Sequence, residues 1–142
     1  MQVIIDKGIP FLEGVFPPEI EVLHLSPEEI TSQSVCNADA LIVRTRTHIN
    51  RNLLQGSRVR FVATATIGFD HIDQDYCREA GIHWVSCPGC NAQAVCDYVE
   101  EAISSMKSGK TDLTIGIIGY GHVGKLVANM AQSKGYRVLL SD

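Results

Sequence analysis

The chain has 142 residues, of which 45% are hydrophobic and 20% are charged, and this balance is typical of a globular protein with an ordinary core. Its formal net charge of −4 argues against nucleic acid or an anionic membrane surface as the main partner. No apolar run approaches the roughly 20 residues that span a bilayer, and the N-terminus lacks the apolar stretch of a signal peptide, so we predict a cytoplasmic protein without a membrane partner.

Short apolar strands alternate with helical segments, which predicts an α/β protein with a largely parallel sheet. In the first part of the chain, strands are predicted at 2–5, 21–25, 40–43, 60–66 and 83–86. Ser26, Pro27 and Glu29 have the spacing of a capping box and predict a helix that begins at Ser26. Further helices are predicted at 50–54 and at 74–80.

A second pattern follows from residue 91. The sequence predicts a helix over 91–107, and the polar stretch "SGKTD" at 108–112 indicates a boundary close to it. Residues 113–142 then read as one β-α-β unit, in which the first strand covers 113–118, Gly135 ends the helix, and Asp142 ends the second strand.

The five cysteines form an odd set, which favours a reduced compartment over a disulfide framework. Cys87 and Cys90 lie in "CPGC", a spacing that also occurs in redox and metal sites. Zinc needs two more ligands, for which the sequence offers only scattered candidates, namely Cys77, His83 and Cys96. We predict no metal, and we favour a loop that carries two thiols over a redox site.

The stretch "GYGHVG" at Gly119–Gly124 fits G-x-G-x-x-G between a strand and a helix, which predicts a dinucleotide-binding turn. Gly119 permits the tight turn, Gly121 lets a pyrophosphate approach the backbone, and Gly124 lets the helix pack closely. The N–H groups of the turn, which also contains Tyr120, His122 and Val123, supply a site for negative charge. Asp142 is predicted to bind ribose hydroxyls and to repel a 2′-phosphate, which favours NAD over NADP. A glycine-rich turn without a ligand is the alternative.

Polar residues follow two predicted strands. Arg44, Thr45, Arg46 and Thr47 come directly after the strand at 40–43, where open α/β sheets bind their ligands. Guanidinium and hydroxyl groups suit a phosphate or a carboxylate, although a solvated charged loop has the same composition. The stretch "ATATIGFDHID" likewise ends a strand in a turn whose amides can hold a carboxylate.

Taken together, "VRTRT", "ATATIGFDHID", "AGIHWVSCPGCNAQAV" and "GIIGYGHVGKLV" resemble the D-2-hydroxyacid dehydrogenase family over essentially the whole chain. The resemblance implies a flavodoxin-like, parallel-sheet substrate domain at 1–90, followed at 91–142 by an inter-domain helix and the first β-α-β unit of a Rossmann NAD-binding domain. It also implies NAD-dependent oxidation of a phosphorylated 2-hydroxy acid. Thr45 and Thr66 match family substrate contacts, Asp142 matches the NAD-ribose ligand, and Gly119–Gly124 match the dinucleotide loop. Charge and placement add Arg44 and Arg46 as candidate phosphate ligands.

The family's catalytic arginine, glutamate and histidine fall, by resemblance, beyond Asp142. The histidines of the chain, His24, His48, His71, His83 and His122, are interpreted as structural or cofactor-adjacent, so no catalytic residue is predicted here. We therefore expect an N-terminal fragment that is inactive alone, binds NAD weakly and belongs to a homodimeric enzyme. The alternatives are a relative that acts on another phosphorylated 2-hydroxy acid, such as 3-phosphoglycerate, and a non-catalytic NAD-sensing module.

Overall fold

The computed structural model describes residues 1–106 and 113–142, which form two compact units, Met1–Cys87 and Pro88–Asp142. The predicted end of a helix at Lys107 and the predicted boundary near 108–112 lie outside the described residues. Among the described residues, no helix is both long and apolar enough to cross a membrane.

The first unit is built on a parallel sheet of five strands, in the order β2-β1-β3-β4-β5. This is the flavodoxin-like order, and the predicted α/β class with a parallel sheet is confirmed. The strands are β1 (Gln2–Asp6), β2 (Glu21–Leu25), β3 (Ala40–Val43), β4 (Phe61–Thr64) and β5 (His83–Val85).

Two short helices complete the first unit, and local signals set their ends. In α1 (Arg51–Leu54) the side chain of Asn50 accepts from the Leu53 N–H, and in α2 (Gln74–Ala80) the side chain of Asp73 accepts from the Tyr76 N–H. The sheet and helices bury one apolar cluster, which includes Ile4, Leu41, Val43, Leu54, Val62 and Cys77.

The predicted helix at Ser26 is wrong. The capping contact exists, since the Ser26 N–H donates to Glu29 Oε2 at 2.7 Å, but the segment forms turns instead of a helix. The hydroxyl of Ser34 explains why no helix forms, because it donates to the Glu29 carbonyl at 2.9 Å and accepts from the Thr31 N–H at 2.9 Å. Side-chain bonds of this kind compete with the helical ladder for the same backbone groups.

The second unit contains α3 (Ala92–Met106) and one β-α-β unit, formed by β6 (Thr114–Ile118), α4 (His122–Ser133) and β7 (Arg137–Ser141). β6 and β7 pair in parallel. Helix α4 buries Val127, Ala128 and Ala131, and Lys134 beyond its end contacts Glu100 of α3 at 2.6 Å. Apolar side chains on the small sheet stay exposed, namely Ile118, Leu139 and Leu140.

Candidate functional site

The carboxyl edge of the first sheet carries an ion pair between Asp6 and Arg44. The connections from β1 and β3 leave the sheet in opposite directions, and in flavodoxin-like sheets ligands bind at this switch point. Asp6 ends β1, and its carboxylate accepts from Arg44 Nε at 2.9 Å and from Arg44 Nη2 at 3.0 Å. The Gly8 N–H donates to the same carboxylate at 2.8 Å. The switch point therefore holds a bidentate, charge-assisted contact.

The Asp6 carboxylate is fully buried, and its surroundings are arranged for the charged form. Burial alone acts to raise the pKa of Asp6, but the hydrogen bonds from Arg44 and Gly8 and the charges of Arg44 and Arg46 outweigh it, so the pKa lies below its ordinary value. The Arg44 guanidinium also lies against Gly8, where a Cβ would sit 1.9 Å from Nη2. Any side chain at position 8 therefore displaces the guanidinium.

This pairing changes the interpretation of Arg44. Its Nε and Nη2 both donate to Asp6. The third guanidinium nitrogen, Nη1, has no hydrogen-bond partner among the described residues. Arg46, in contrast, pairs with Glu28 at the surface, where both side chains are about two thirds exposed. An exposed pair of this kind is weak and exchanges readily for another anion. Of the two predicted phosphate ligands, Arg46 is the more available, and the exposed Thr45 lies between them.

A hydrogen-bonded chain of side chains follows β4. The hydroxyl of Thr66 donates to the Gly68 carbonyl at 2.9 Å and contacts the Thr64 hydroxyl at 2.7 Å. Thr64 in turn lies 3.0 Å from Nε2 of His71. Thr64 and His71 are buried, whereas Thr66 is half-buried. Burial lowers the pKa of His71 below its ordinary value, which favours the neutral ring.

Sequence reasoning gave no role to Thr64 and left His71 as structural or cofactor-adjacent. The structure also buries Thr47, whose hydroxyl oxygen has no partner within residues 1–106 and 113–142. The available signal for Thr64 was its position at the carboxyl end of β4, on the same edge of the sheet as the polar loop that follows β3 and contains Thr47.

In the second unit, the glycine-rich turn has the predicted construction. Gly119 adopts a φ of 93°, which favours glycine. A Cβ on Gly124 would lie 2.0 Å from the Gly119 carbonyl oxygen, so helix α4 begins in direct contact with the turn. A Cβ on Gly121 would meet nothing within 4 Å. The space above Gly121 is open, and this glycine makes no side-chain cap, so the first N–H groups of α4 at His122 and Val123 suit an anion.

Asp142 lies beside the same turn. Its Oδ1 accepts from the Tyr120 N–H at 2.8 Å, which ties the carboxylate just beyond β7 to the loop that follows β6. The Tyr120 amide is therefore engaged by the protein itself. Gly89 packs against the imidazole of His122, since a Cβ there would sit 3.0 Å from two ring atoms.

The cysteines offer no ready ligand set. Cys87 and Cys90 are free and exposed. Cys77 and Cys96 are buried, and burial raises the pKa of both thiols, which disfavours the thiolate that binds metals. Across the two described ranges, no group of three or more His, Cys, Asp or Glu side chains is placed to hold a metal ion.

The flavodoxin-like sheet and the glycine-rich β-α-β unit define a two-part α/β chain of the dehydrogenase type. The family model of D-isomer specific 2-hydroxyacid dehydrogenase, catalytic domain, matches residues 2–136, and the chain belongs to this family.

Among curated relatives, erythronate-4-phosphate dehydrogenase of Bacteroides thetaiotaomicron is 50% identical over all of this chain and 42% of that protein. The enzyme of the same name from Pseudomonas putida is 41% identical over all of this chain and 38% of that protein. The chain thus spans less than half the length of these relatives. The NAD+-bound 3-phosphoglycerate dehydrogenase of Entamoeba histolytica superposes with a TM-score of 0.74 at 26% identity, over all of this chain and 54% of that one.

Proposed function

We propose that this chain forms part of an NAD-dependent 4-phosphoerythronate dehydrogenase, which oxidises 4-phospho-D-erythronate to 2-oxo-3-hydroxy-4-phosphobutanoate in the biosynthesis of pyridoxal 5′-phosphate. The observation that carries the proposal is 50% identity, along the entire chain, to a relative named for this activity. Below, the whole protein means the dehydrogenase that contains this chain together with the catalytic arginine, glutamate and histidine, which we place outside it.

The glycine-rich turn is the proposed NAD site. In this proposal the pyrophosphate occupies the open space at Gly121 and accepts from the first N–H groups of α4 at His122 and Val123, and Asp142 accepts from a ribose hydroxyl. The free space at Gly121 and the proximity of Asp142 to the turn support it. NAD+ supplies the hydride acceptor, and the residues of this chain bind and orient it. We also assign Tyr120 to the site. Its amide is bonded to Asp142, so we propose that it contributes its ring, whose centroid lies 5.7 Å from Lys125 Nζ.

The carboxyl edge of the first sheet is the proposed substrate site. Thr45 and Thr66 offer hydroxyl groups, and Arg46 offers an exposed guanidinium whose present partner, Glu28, is easily exchanged for a phosphate. Arg44 contributes positive charge, but the geometry makes it chiefly the partner of Asp6. The division of the chain into a substrate-binding part and a cofactor-binding part, at or near residue 90, belongs to the same proposal.

The direct test is a turnover assay of the whole protein with NAD and either 4-phospho-D-erythronate or 3-phosphoglycerate. We expect a kcat/KM for 4-phospho-D-erythronate that exceeds the value for 3-phosphoglycerate by a large factor. A preference for 3-phosphoglycerate assigns the chain to the second candidate, which the Entamoeba histolytica structure supports. Absence of turnover, together with NAD-dependent binding of a partner protein, favours a non-catalytic NAD-sensing module.

Replacement of Thr45 by valine should raise the KM for the phosphorylated substrate about tenfold or more, because it removes one hydrogen bond to an anion while it keeps the shape of the side chain. The exposed Thr31, which lies outside the proposed site, is the matched control for the same substitution. Steady-state kinetics of both variants decide the point. An unchanged KM in Thr45→Val removes this loop from the substrate site.

Replacement of Asp142 by alanine should weaken NAD binding about tenfold or more, since a hydrogen bond to a charged group contributes roughly 1.5–3 kcal/mol. It should also relax the discrimination against NADP, because the carboxylate that repels a 2′-phosphate is gone. The measurement is the ratio of kcat/KM for NAD and NADP in the whole protein. If Asp142→Ala keeps the wild-type ratio, Asp142 is not the ribose ligand.

We further propose that the whole protein is a cytoplasmic homodimer that acts on a small-molecule substrate and binds neither nucleic acid nor membrane. The net charge of −4 supports the absence of a polyanionic partner. The exposed apolar side chains of the small sheet, Ile118 and Leu139 among them, support the presence of further protein surface against this sheet. Sedimentation of the whole protein measures the oligomeric state.

A further inference from the structure

The hydrogen-bonded chain after β4 has a direction that follows from counting protons. The Gly68 carbonyl only accepts, so the Thr66 hydroxyl donates its single proton there. Thr66 must then accept in its 2.7 Å contact with Thr64, which therefore donates its own single proton. Thr64 is left to accept in its 3.0 Å contact with His71, so Nε2 of the imidazole carries the proton.

The other ring nitrogen of His71 agrees with this direction. Nδ1 is buried and has no hydrogen-bond partner among the described residues. A proton on Nδ1 would place an unsatisfied donor in the interior, which costs more than an unpaired lone pair on a neutral ring. The neutral Nε2–H form is therefore the state that the surroundings of His71 favour.

We infer that His71 is a positioning residue which, through Thr64, keeps the Thr66 hydroxyl a hydrogen-bond donor toward an oxyanion of the substrate. Because Thr64 already donates to the Thr66 oxygen, the Thr66 proton can turn from the Gly68 carbonyl to an incoming carboxylate or phosphate oxygen while the other bonds remain. If these hydrogen bonds ran in the opposite direction, Thr66 would donate to Thr64 and would offer the substrate only lone pairs, which repel an oxyanion. This inference rests on the proposed function, which makes Thr66 a substrate contact.

The tautomer of His71 tests the direction without any substrate. In the 142-residue chain with 15N-labelled histidine, the two-bond couplings between ring protons and nitrogens identify the protonated nitrogen. We expect a neutral Nε2–H ring at pH 7, with the exposed His24 as a reference in the same spectrum. Thr64→Ser should keep this tautomer, and Thr64→Val should lose its preference. An Nδ1–H or cationic His71 in the wild-type chain overturns the inference.

A double-mutant cycle in the whole protein tests the role. By calorimetry with 4-phospho-D-erythronate, Thr64→Val and Thr66→Val should each weaken binding about tenfold, and the double variant should bind no more weakly than Thr66→Val alone. His71→Leu should behave as Thr64→Val, with KM raised and kcat little changed, whereas His71→Gln, which keeps an N–H donor, should restore binding. Additive losses from Thr64→Val and Thr66→Val show that Thr64 acts otherwise and overturn the inference.

The two experiments separate the inference from the function on which it rests. If the whole protein neither binds nor oxidises 4-phospho-D-erythronate, the proposed function fails. The tautomer spectrum then still decides the direction of the hydrogen bonds between His71, Thr64 and Thr66, because it requires only the folded 142-residue protein.

Discussion

Replacement of Gly124 by alanine should destabilise the second unit by about 3 kcal/mol, near the upper end of what overpacking costs. Intrinsic helix propensity alone predicts the opposite, a gain of about 1 kcal/mol from alanine in a helix. The clash decides the sign, because a Cβ at position 124 would lie 2.0 Å from the Gly119 carbonyl oxygen and 3.1 Å from its carbon. These are backbone atoms, so no rotamer change relieves the contact.

Native-state hydrogen exchange measures this effect unit by unit. We expect faster exchange for the amides of β6 and α4 in Gly124→Ala. The single tryptophan, Trp84 in β5, reports on the first unit of the same sample, and its unfolding transition should stay at the wild-type position. Wild-type exchange in α4 would show that the turn and helix adjust without cost and would contradict the prediction.

Gly121→Ala is the matched control, since it makes the same substitution three residues earlier, at the N-cap of α4. Its φ of −80° suits alanine, and the added Cβ meets nothing within 4 Å, so the stability of the second unit should change by only about 0.5 kcal/mol. NAD binding by the whole protein should nevertheless fall more than tenfold, because the Cβ occupies the space that the pyrophosphate needs. Wild-type NAD affinity in Gly121→Ala would place the cofactor elsewhere.

Replacement of Arg44 by alanine should lower the stability of the first unit more than the same change at Thr45 or Arg46, the next residues of the loop after β3. It leaves the fully buried Asp6 carboxylate without its cation, and an uncompensated buried charge costs about 3 kcal/mol or more. The measurement is denaturant unfolding followed by Trp84 fluorescence. Arg46→Ala is the control, since its pair with Glu28 is exposed and its loss should leave the Trp84 transition in place.

A double variant tests whether the unpaired charge of Asp6 causes the loss of stability. In Asp6→Leu/Arg44→Met the carboxylate is absent, so this double variant should unfold closer to the wild-type midpoint than Arg44→Ala does. If both variants lose the same stability, the cost comes from lost packing of the Arg44 side chain and the prediction fails.

The pH dependence of the same pair has a definite sign. Because the pKa of Asp6 is lower in the folded chain than its ordinary value of 3.8, the folded state favours the carboxylate. This contribution to stability is complete above the unfolded pKa and is lost as the pH falls through the folded pKa. Asp6→Asn should therefore remove one component of the loss of stability below about pH 4. An unchanged acid slope in Asp6→Asn would contradict the assignment.

Local signals in the sequence determined the elements of this protein and its family. Alternating apolar strands and helices predicted the parallel sheet, and the helices predicted at 50–54 and 74–80 are present in the structure as α1 and α2. The glycines of the turn could be assigned in advance because each answers a backbone requirement of its own immediate surroundings. The capping box at Ser26 failed as a helix signal because the Ser34 hydroxyl competes for backbone groups after β2.

Only the tertiary structure decided which polar groups are free to act. Arg44 and Arg46 look equivalent in "RTRT", yet the sheet order brings Asp6, 38 residues away in sequence, under Arg44 alone. In the same way, the fold buries His71 against Thr64 and so fixes the proton on Nε2. The physical reason is common to both: a charge or a proton is committed by the partner that the fold buries against it. That partner is 38 residues away for Arg44 and seven residues away for His71, and neither contact leaves a periodic trace in the sequence.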